Sequence, residues 1–353
     1  MNKNYLFKLK FNNQNKIIFS LPQSSHYQQI SNLKINSLNY QIIDEKKWGN
    51  KIVILNLVQD LKQHNFISLK IKPLPFKSSI NPNFSLSSYQ KTKIPKIYLT
   101  PNRFINGNDP KIKSLAKKVI GDEKNLLKIV RKLYDFTLDY LTYGKPIDDL
   151  YPYHKALNKK ITDCGGFSTF LASLFQSQNI PTRLLVGFII KKNIIKDLLT
   201  KLTHCHSERI RQLAEKRRIS QLICDLAFVK DPSLTLRMTI KRLSSILSKL
   251  PFVNFSFHDL LIHAWLEILL PNNQWFPLDP SLDWRRKKGQ TKRQGGFGFI
   301  PDDRLVTSFG CDFDLKVEGG NYKIDLLQKP LLVTCNLYFF LGFELQVISY
   351  KIL

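Results

Sequence analysis

The stretch Thr162–Phe188 constrains the fold of this chain more than any other, because it places a single cysteine before a helical apolar pattern. After Cys164, apolar side chains recur on one face of a helix, at Phe167, Leu171, Leu174 and Phe175. Asn179 and Pro181 are typical helix-ending residues, and Leu184–Ile190 is typical of a buried strand. The pattern predicts a buried helix that begins at the cysteine and ends at about residue 178.

The predicted position of Cys164 has a chemical meaning. The free N–H groups and the positive end of the helix dipole favour a thiolate over a thiol at a helix N-terminus. A core packing role is the alternative, since free cysteine is among the most buried residue types. This stretch alone leaves both interpretations open.

A second pattern lies about a hundred residues downstream. Residues 263–270 are typical of a strand, 271–274 of a turn, and 275–280 of a returning strand, so His263 and Asp279 lie on one hairpin. A thiol nucleophile needs a base and a group that orients the base, and such partners meet only in the fold. The two residues share a face if the loop has three or five residues, or if a bulge lies near Pro277.

These motifs, in this order, resemble the transglutaminase-like superfamily: the Cys164 helix, then IPTRLLVGF, HAWLEI and WFPLDPS. The resemblance covers about residues 96–315. It implies a papain-like triad with Cys164 as nucleophile, His263 as general base and acid, and Asp279 as the orienting carboxylate. It implies no cofactor and no metal. Thr162 stands where the family usually has glycine, and Gly166 where it often has an acidic residue.

The fold class expected from this resemblance is α+β, with a cysteine-bearing helix packed on an antiparallel sheet. The alternating pattern in residues 1–80 predicts a β-sandwich-like domain, and residues 81–95, rich in Ser, Asn and Pro, predict a linker. The catalytic domain is predicted at 96–322, with an insertion at 199–250, and a β segment at 323–353. Its helices are expected from Asp109 and over about Glu123–Leu141.

The rest of the pattern predicts supporting structure. The Gln, His and Asn residues of the N-terminal part have no catalytic or metal spacing and are expected at the surface. Tyr143, Tyr151 and Tyr153 are expected as exposed loop residues, although one of them could line a cleft. Trp284–Gly298 is predicted as a basic loop, Arg304–Phe309 and Phe313–Val317 as strands that close the sheet, and Cys311 as packing.

The net charge of +27 suggests a nucleic-acid partner, but its distribution argues against one. The 14 lysines and 3 acids of residues 1–95 form no single basic stripe and no RNA-binding motif. Lysine, asparagine and isoleucine are all abundant, which indicates an AT-rich genome. We expect a solvated basic surface and no specific nucleic-acid partner.

The five cysteines are odd in number and irregularly spaced, so they predict a reducing compartment rather than a disulfide framework. The N-terminus has no apolar signal region, and the apolar run Leu331–Phe343 is too short to span a membrane. We therefore expect a cytoplasmic protein without a membrane span, and a terminal strand pair at this run. The oligomeric state stays open.

Residues Cys205–Thr239 resemble a translated dispersed genomic repeat, and with their surroundings they predict a mobile or weakly helical excursion. Residues 199–249 carry 11 basic and 4 acidic side chains, and so add to the apparent basicity. The spacing of His204, Cys205, His206 and Cys224 matches no known zinc finger or ribbon, so no metal is expected there. A lid over the cleft is the alternative role for this excursion.

The sequence predicts a thiol enzyme that acts on a protein or peptide substrate. In this hypothesis Cys164 attacks a carboxamide and forms a thioester, which water or an amine resolves as a cysteine peptidase, amidase or cross-linking acyltransferase. The alternative is a catalytically silent peptide- or protein-binding module of the same fold.

Overall fold

A computed structural model of the chain describes residues 4–11, 16–37, 39–56, 65–147, 149–190, 254–255, 260–317, 320–334, 337–340 and 345–350. All of the predicted insertion at 199–250, including its predicted repeat and its histidines, lies outside these residues, and those interpretations stay predictions. No helix within the described ranges is long and apolar enough to cross a membrane.

Five α-helices occur in the described part of the chain: α1 (Pro110–Ile120), α2 (Leu126–Tyr140), α3 (Tyr153–Lys159), α4 (Cys164–Ser177) and α5 (Pro280–Lys287). Short 3-10 helices lie at Leu86–Lys91 and Lys96–Tyr98. The predictions for α1, α2 and α4 are confirmed within a few residues. α5 corrects the sequence prediction, because residues 284–287 of the expected loop are helical.

The described strands are β1 (Asn4–Phe11), β2 (Lys16–Leu21), β3 (Gln28–Asn36), β4 (Tyr40–Asp44), β5 (Lys51–Asn56), β6 (Asn65–Pro73), β7 (Phe76–Lys77), β8 (Thr142–Tyr143), β9 (Ile161–Thr162), β10 (Thr182–Ile190), β11 (Asn254–Phe255), β12 (Leu260–Leu269), β13 (Trp275–Leu278), β14 (Phe299–Ile300), β15 (Arg304–Phe309), β16 (Phe313–Val317), β17 (Gly320–Ile324), β18 (Leu331–Thr334), β19 (Leu337–Phe340) and β20 (Leu345–Tyr350). β18 pairs with β19, which confirms the strand pair predicted for the apolar run near the C-terminus.

A four-stranded antiparallel sheet in the order β13-β12-β10-β15 supports α4. Apolar residues on one face of this sheet, such as Ala264 and Leu266 of β12, share a buried core with α1, α2 and α4. Phe167 and Leu171 are among the residues that α4 contributes to this core. α4 lies at the centre of this core and is buried on all sides, because most of its residues are apolar or small. The predicted α+β class, with a cysteine-bearing helix on an antiparallel sheet, is confirmed.

Two five-stranded sheets form a β-sandwich beside this unit, in the orders β11-β20-β1-β6-β3 and β19-β18-β2-β5-β4. Their inner faces bury one apolar cluster, which includes Phe7, Phe19, Val53 and Leu69. The sandwich takes strands from both ends of the chain, because β20 pairs with β1 and β18 pairs with β2. The predicted domain boundaries themselves stay a prediction.

The prediction that β16 closes the sheet is wrong, although β15 does join it. β16 pairs with β17 in a separate hairpin, and Phe313 and Leu315 from β16 pack with Ile18 and Trp48 over the outer face of the sandwich. β2 and β5 carry apolar residues on both faces, so both faces must be buried. The other sheet of the sandwich buries one face, and the hairpin of β16 and β17 packs on the other.

The expectation that N-terminal polar residues lie at the surface is wrong for three of them. The buried amides of Gln28 and Asn50 each bind both the N–H and the C=O of a residue in β15, at Val306 and Phe309 respectively, with distances of 2.8–2.9 Å. β15 is the edge strand of its sheet, so these amides satisfy backbone groups that no neighbouring strand pairs.

The third exception is His26, which binds the buried carboxylate of Glu267 in β12 through Nε2 at 3.1 Å. The same carboxylate accepts a hydrogen bond from the Tyr27 hydroxyl at 2.7 Å and pairs with Arg183 at 2.6 Å. Charge pairing and hydrogen bonds outweigh the burial that would raise the pKa of Glu267, and they hold it below its ordinary value. This network joins the sandwich to the sheet that carries His263.

Candidate active site

Cys164 is the first residue of α4, as the sequence predicts, and Asp163 caps the helix. The two oxygens of the Asp163 side chain accept hydrogen bonds from the backbone N–H groups of Gly166 and Ile147, each at 3.1 Å. The cap therefore fixes both the helix start and the loop that precedes it. Burial raises the pKa of the Asp163 carboxyl despite these bonds.

Thr162 and Gly166, the two positions that depart from the family pattern, are in direct contact. A Cβ built on Gly166 would overlap the hydroxyl of Thr162, which lies in β9 directly before the helix. Threonine at 162 therefore requires glycine at 166, and a larger residue at 166 requires a smaller one at 162. The two departures therefore compensate each other sterically.

The hairpin of β12 and β13 brings His263 and Asp279 together. Leu269 pairs with Trp275, so five residues form the loop, and this register places His263 and Asp279 on the same face. His263 Nε2 lies 2.8 Å from Asp279 Oδ2. The loop has five residues, one of the alternatives that the sequence allowed, and the predicted contact between imidazole and carboxylate is present.

Asp279 is fully buried and is bonded from several sides. Oδ2 also accepts from Arg304 Nη2 at 3.0 Å, while Oδ1 accepts from the backbone N–H of Leu282 at the start of α5, at 3.1 Å. Burial raises the pKa of Asp279, but the charge of the His263 imidazole, its hydrogen bond and the Arg304 guanidinium together lower this pKa below its ordinary value. The carboxylate is therefore ionised and fixed.

Arg304 belongs to the site and was missed in the sequence. It is the first residue of β15, is 1% exposed, and joins Asp279 to Asp303, whose Oδ1 lies 2.5 Å from Arg304 Nη1. An arginine at the start of an otherwise apolar buried strand was the available signal, because a buried guanidinium requires carboxylate partners.

The environment of the thiol differs from the sequence expectation. Burial, reinforced by the negative charge of Asp163, raises the pKa of Cys164 to about 12, and the backbone N–H groups of Ala264 and Gly165 lower it only in part. The N–H groups at the helix N-terminus lower the thiol pKa as the sequence predicts, but loss of hydration outweighs them, so the net effect favours the thiol.

No hydrogen bond joins the Cys164 thiol to the His263 imidazole in the described part of the chain, where the thiol contacts the backbone of Ala264. Side chains alternate along β12, so Ala264 packs in the core with α4, whereas Trp265 packs in another core with Tyr27. The Trp265 ring stacks on the His263 ring, with the ring centroids 5.9 Å apart. The structure therefore brings His263 to Asp279, and brings Cys164 to the backbone next to His263.

Cys164 opens into a cleft of about 250 Å³. The lining is mostly apolar and comes from Tyr143, Pro146, Ile147, Leu150, Ile262, Ala264 and Leu326. Its polar side chains are Asp149, Asp163, Gln328 and Lys329. Tyr143 thus lines the cleft, while Tyr151 and Tyr153 are buried, so the expectation that these tyrosines are exposed is wrong. Ile147 and Ile262 are about 40% exposed at the cleft and offer an apolar surface.

Within the described ranges, no group of three or more His, Cys, Asp or Glu residues could hold a metal ion. Cys311 is buried in the core, in agreement with its predicted packing role. Burial raises the pKa of its thiol. Cys164 is therefore the one cysteine of the described chain that opens into a cleft.

Residues 113–280 match the sequence profile of the transglutaminase-like superfamily. The match includes the helix with Cys164, the strand with His263, and Asp279, and it confirms the family resemblance for this part of the chain. No curated protein sequence matches the chain. A candidate cysteine protease from Cytophaga hutchinsonii has a similar structure, with a TM-score of 0.44 and 9% identity over 99% of this chain and 98% of that one. The periplasmic domain of TgpA from Pseudomonas aeruginosa gives 0.32 and 10% identity, over 81% of this chain and 90% of that one.

Proposed function

Since residues 113–280 form a transglutaminase-like superfamily domain, we propose that the protein is a thiol enzyme acting on peptide or amide bonds. Cys164 is the nucleophile, His263 the general base and acid, and Asp279 the residue that orients the imidazole. The single observation that carries this proposal is the buried pair of His263 and Asp279, 2.8 Å apart, next to the backbone that contacts the cleft cysteine.

The pairing assigns the proton positions of the imidazole. When the ring is neutral, its pairing with the ionised Asp279 requires Nε2 to donate, which leaves a lone pair on Nδ1. Nδ1 takes the thiol proton as sulfur attacks the substrate carbonyl, and it returns that proton to the leaving amine when the C–N bond breaks. The thioester is then cleaved by water or by an amine, whose proton Nδ1 removes and passes to the departing sulfur.

The apolar cleft lining supports a peptide side chain or another largely apolar acyl group as the occupant. Hydrolysis and transfer to an amine use the same residues and differ in the second nucleophile alone. We propose that the enzyme works in a reducing compartment, where the Cys164 thiol stays available.

Intact-mass analysis after iodoacetamide treatment tests the proposal, with wild type, Cys164→Ala and His263→Asn compared between pH 5 and pH 9. Because His263 takes the thiol proton in this proposal, labelling of wild-type Cys164 persists down to about pH 6, and loss of His263 moves the rise of the labelling rate to higher pH. Labelling that does not distinguish Cys164 from the other cysteines would sink the nucleophile assignment.

A second function, a catalytically silent binding module of the same fold, is favoured by one observation. Burial raises the thiol pKa to about 12, and no hydrogen bond joins the thiol to His263 in the described residues. In that case the labelling rate of Cys164 rises about tenfold per pH unit through neutral pH, with no contribution from His263. The same pH series therefore separates the two functions.

A further inference from the structure

Gln328 lies in the wall of the cleft, in the segment between β17 and β18 and outside the matched domain. Its side chain is 6% exposed and lines the same cavity as Cys164 and Ala264. It is thus a nearly buried polar side chain at the place where an acyl group would bind.

Both donor positions of this amide are used by the protein. Gln328 Nε2 donates to the backbone oxygens of Gly187 at 2.7 Å and of His263 at 2.9 Å, two residues that face each other across β10 and β12. An amide nitrogen has two hydrogens, so no donor remains. The reversed orientation would set the amide oxygen against two carbonyl oxygens, and the hydrogen bonds therefore fix which atom is which.

The Oε1 atom of Gln328 is the acceptor that remains. Oε1 receives no hydrogen bond from any residue of the described ranges. It is absent from their fully buried polar atoms without a partner, so it retains some accessible surface. A poorly hydrated acceptor gains free energy from a matching donor, and a bound group without a donor leaves it unpaired. Peptides and primary amides carry N–H donors next to the carbonyl under attack.

We propose that Gln328 is a substrate-binding residue whose Oε1 accepts a hydrogen bond from an N–H of a peptide or amide substrate. This assignment rests on the proposed thiol chemistry at Cys164, and it specifies the donor that the substrate must present. Because its Nε2 is tied to the backbone of His263, Gln328 holds this acceptor at a fixed position relative to the imidazole-bearing strand.

A methylation scan of a reactive peptide tests the assignment. The probes are acetyl-Ala-Ala-Gly chloromethyl ketone and its relatives with one backbone N–H replaced by N-methyl, and the readout is the Cys164 alkylation rate by intact mass. In wild type, one methylated probe reacts about threefold to tenfold more slowly than the parent, the usual strength of one neutral hydrogen bond. In Gln328→Met this penalty disappears.

Two further variants separate recognition from support of the fold. Gln328→Glu sets a second oxygen against the carbonyl oxygens of Gly187 and His263, so the acceptor is no longer held in place and the penalty shrinks as it does in Gln328→Met. Leu326→Ala alters the same wall without a polar group, so it changes the rates of all probes by a similar factor. A purely structural Gln328 would slow parent and methylated probes equally in every variant.

The outcomes distinguish this inference from its premise. Equal rates for the parent and every methylated probe in wild type would overturn the role of Gln328. An undiminished penalty in Gln328→Met would overturn it as well. In both cases the probes still alkylate Cys164, so the proposed function remains intact. No alkylation of Cys164 by any probe would overturn the proposed function and this inference with it.

Discussion

At the scale of single residues, the Asp279 carboxylate couples the site to stability. Its pKa is lowered in the folded protein, so it contributes stability that is fully present above the ordinary aspartate pKa of about 4. This contribution is lost as the pH falls through the lower folded value, because the proton then competes with His263 and Arg304. The carboxylate therefore makes the folded protein sensitive to acid below about pH 4.

Asp279→Asn should lower the free energy of unfolding by about 3 kcal/mol or more at pH 7, because it leaves the buried Arg304 with one of its two carboxylate partners and His263 with none. Urea denaturation between pH 7 and pH 2 should show the gap between wild type and variant narrowing below about pH 4. Asp44→Asn, at a carboxylate that is 78% exposed in its surface pair with Lys51, serves as the control with little effect. A gap that is constant down to pH 2 would contradict the lowered pKa.

Arg304 is a positioning residue, and its substitution should affect both stability and thiol chemistry. Arg304→Met removes a guanidinium that is 1% exposed between two carboxylates, and should destabilise the fold by about 3–5 kcal/mol. The pH dependence of Cys164 labelling should shift to higher pH, as in His263→Asn, because Asp279 loses a partner that fixes it and so holds the imidazole less firmly. Arg293→Met, at an arginine that binds Asp303 but not Asp279, should leave that pH dependence unchanged.

At the scale of elements, the start of α4 depends on a matched pair of side chains. Gly166→Ala should lower the free energy of unfolding by about 1–3 kcal/mol, because the added methyl group meets the Thr162 hydroxyl. In a Thr162→Gly background the same change should cost less, and a double-mutant cycle by thermal denaturation measures the coupling. Additive effects in the cycle would show that the two positions do not share space.

Local patterns predicted the elements whose signals are local. Asp109 with Pro110 marks the start of α1, and the apolar spacing after Cys164 marks α4, because caps and periodicity act within a few residues. The short helix α3 has a Pro cap and only two buried residues, Tyr153 and Ala156, so its apolar pattern is too weak to predict it. The loop parity of the hairpin was predictable because strand alternation is fixed at two residues.

The remaining parts of the site depend on contacts between distant residues. Nothing near Arg304 in the sequence shows that it reaches Asp279, and the approach of Gln328 to His263 depends on where the C-terminal segment runs. The raised pKa of Cys164 has the same origin, since burial by other elements opposes the local effect of the helix N-terminus. Sequence motifs therefore predicted the pairing of His263 with Asp279 but not the residues that support it.

At the scale of the whole molecule, side-chain amides from the sandwich complete the edge of the sheet under the site. Gln28→Ala should leave the N–H and C=O of Val306 without partners and should destabilise the fold by about 2 kcal/mol or more. Gln29→Ala, at the exposed neighbour in β3, is the matched control and should change stability by less than about 0.5 kcal/mol. Equal effects in chemical denaturation would show that β15 does not need the amide.

The pairing of β1 with β20 has a consequence for how a ribosome produces this protein. β1 leaves the exit tunnel early, but its neighbour β20 (Leu345–Tyr350) leaves it far later in synthesis, and so does β18, the neighbour of β2. Until then, the nascent sandwich exposes unpaired strand edges beside apolar faces, which are the surfaces that chaperones bind and that aggregation uses. A stall in translation before β18 would therefore leave a chain whose helix α4 is already made but whose sandwich cannot close.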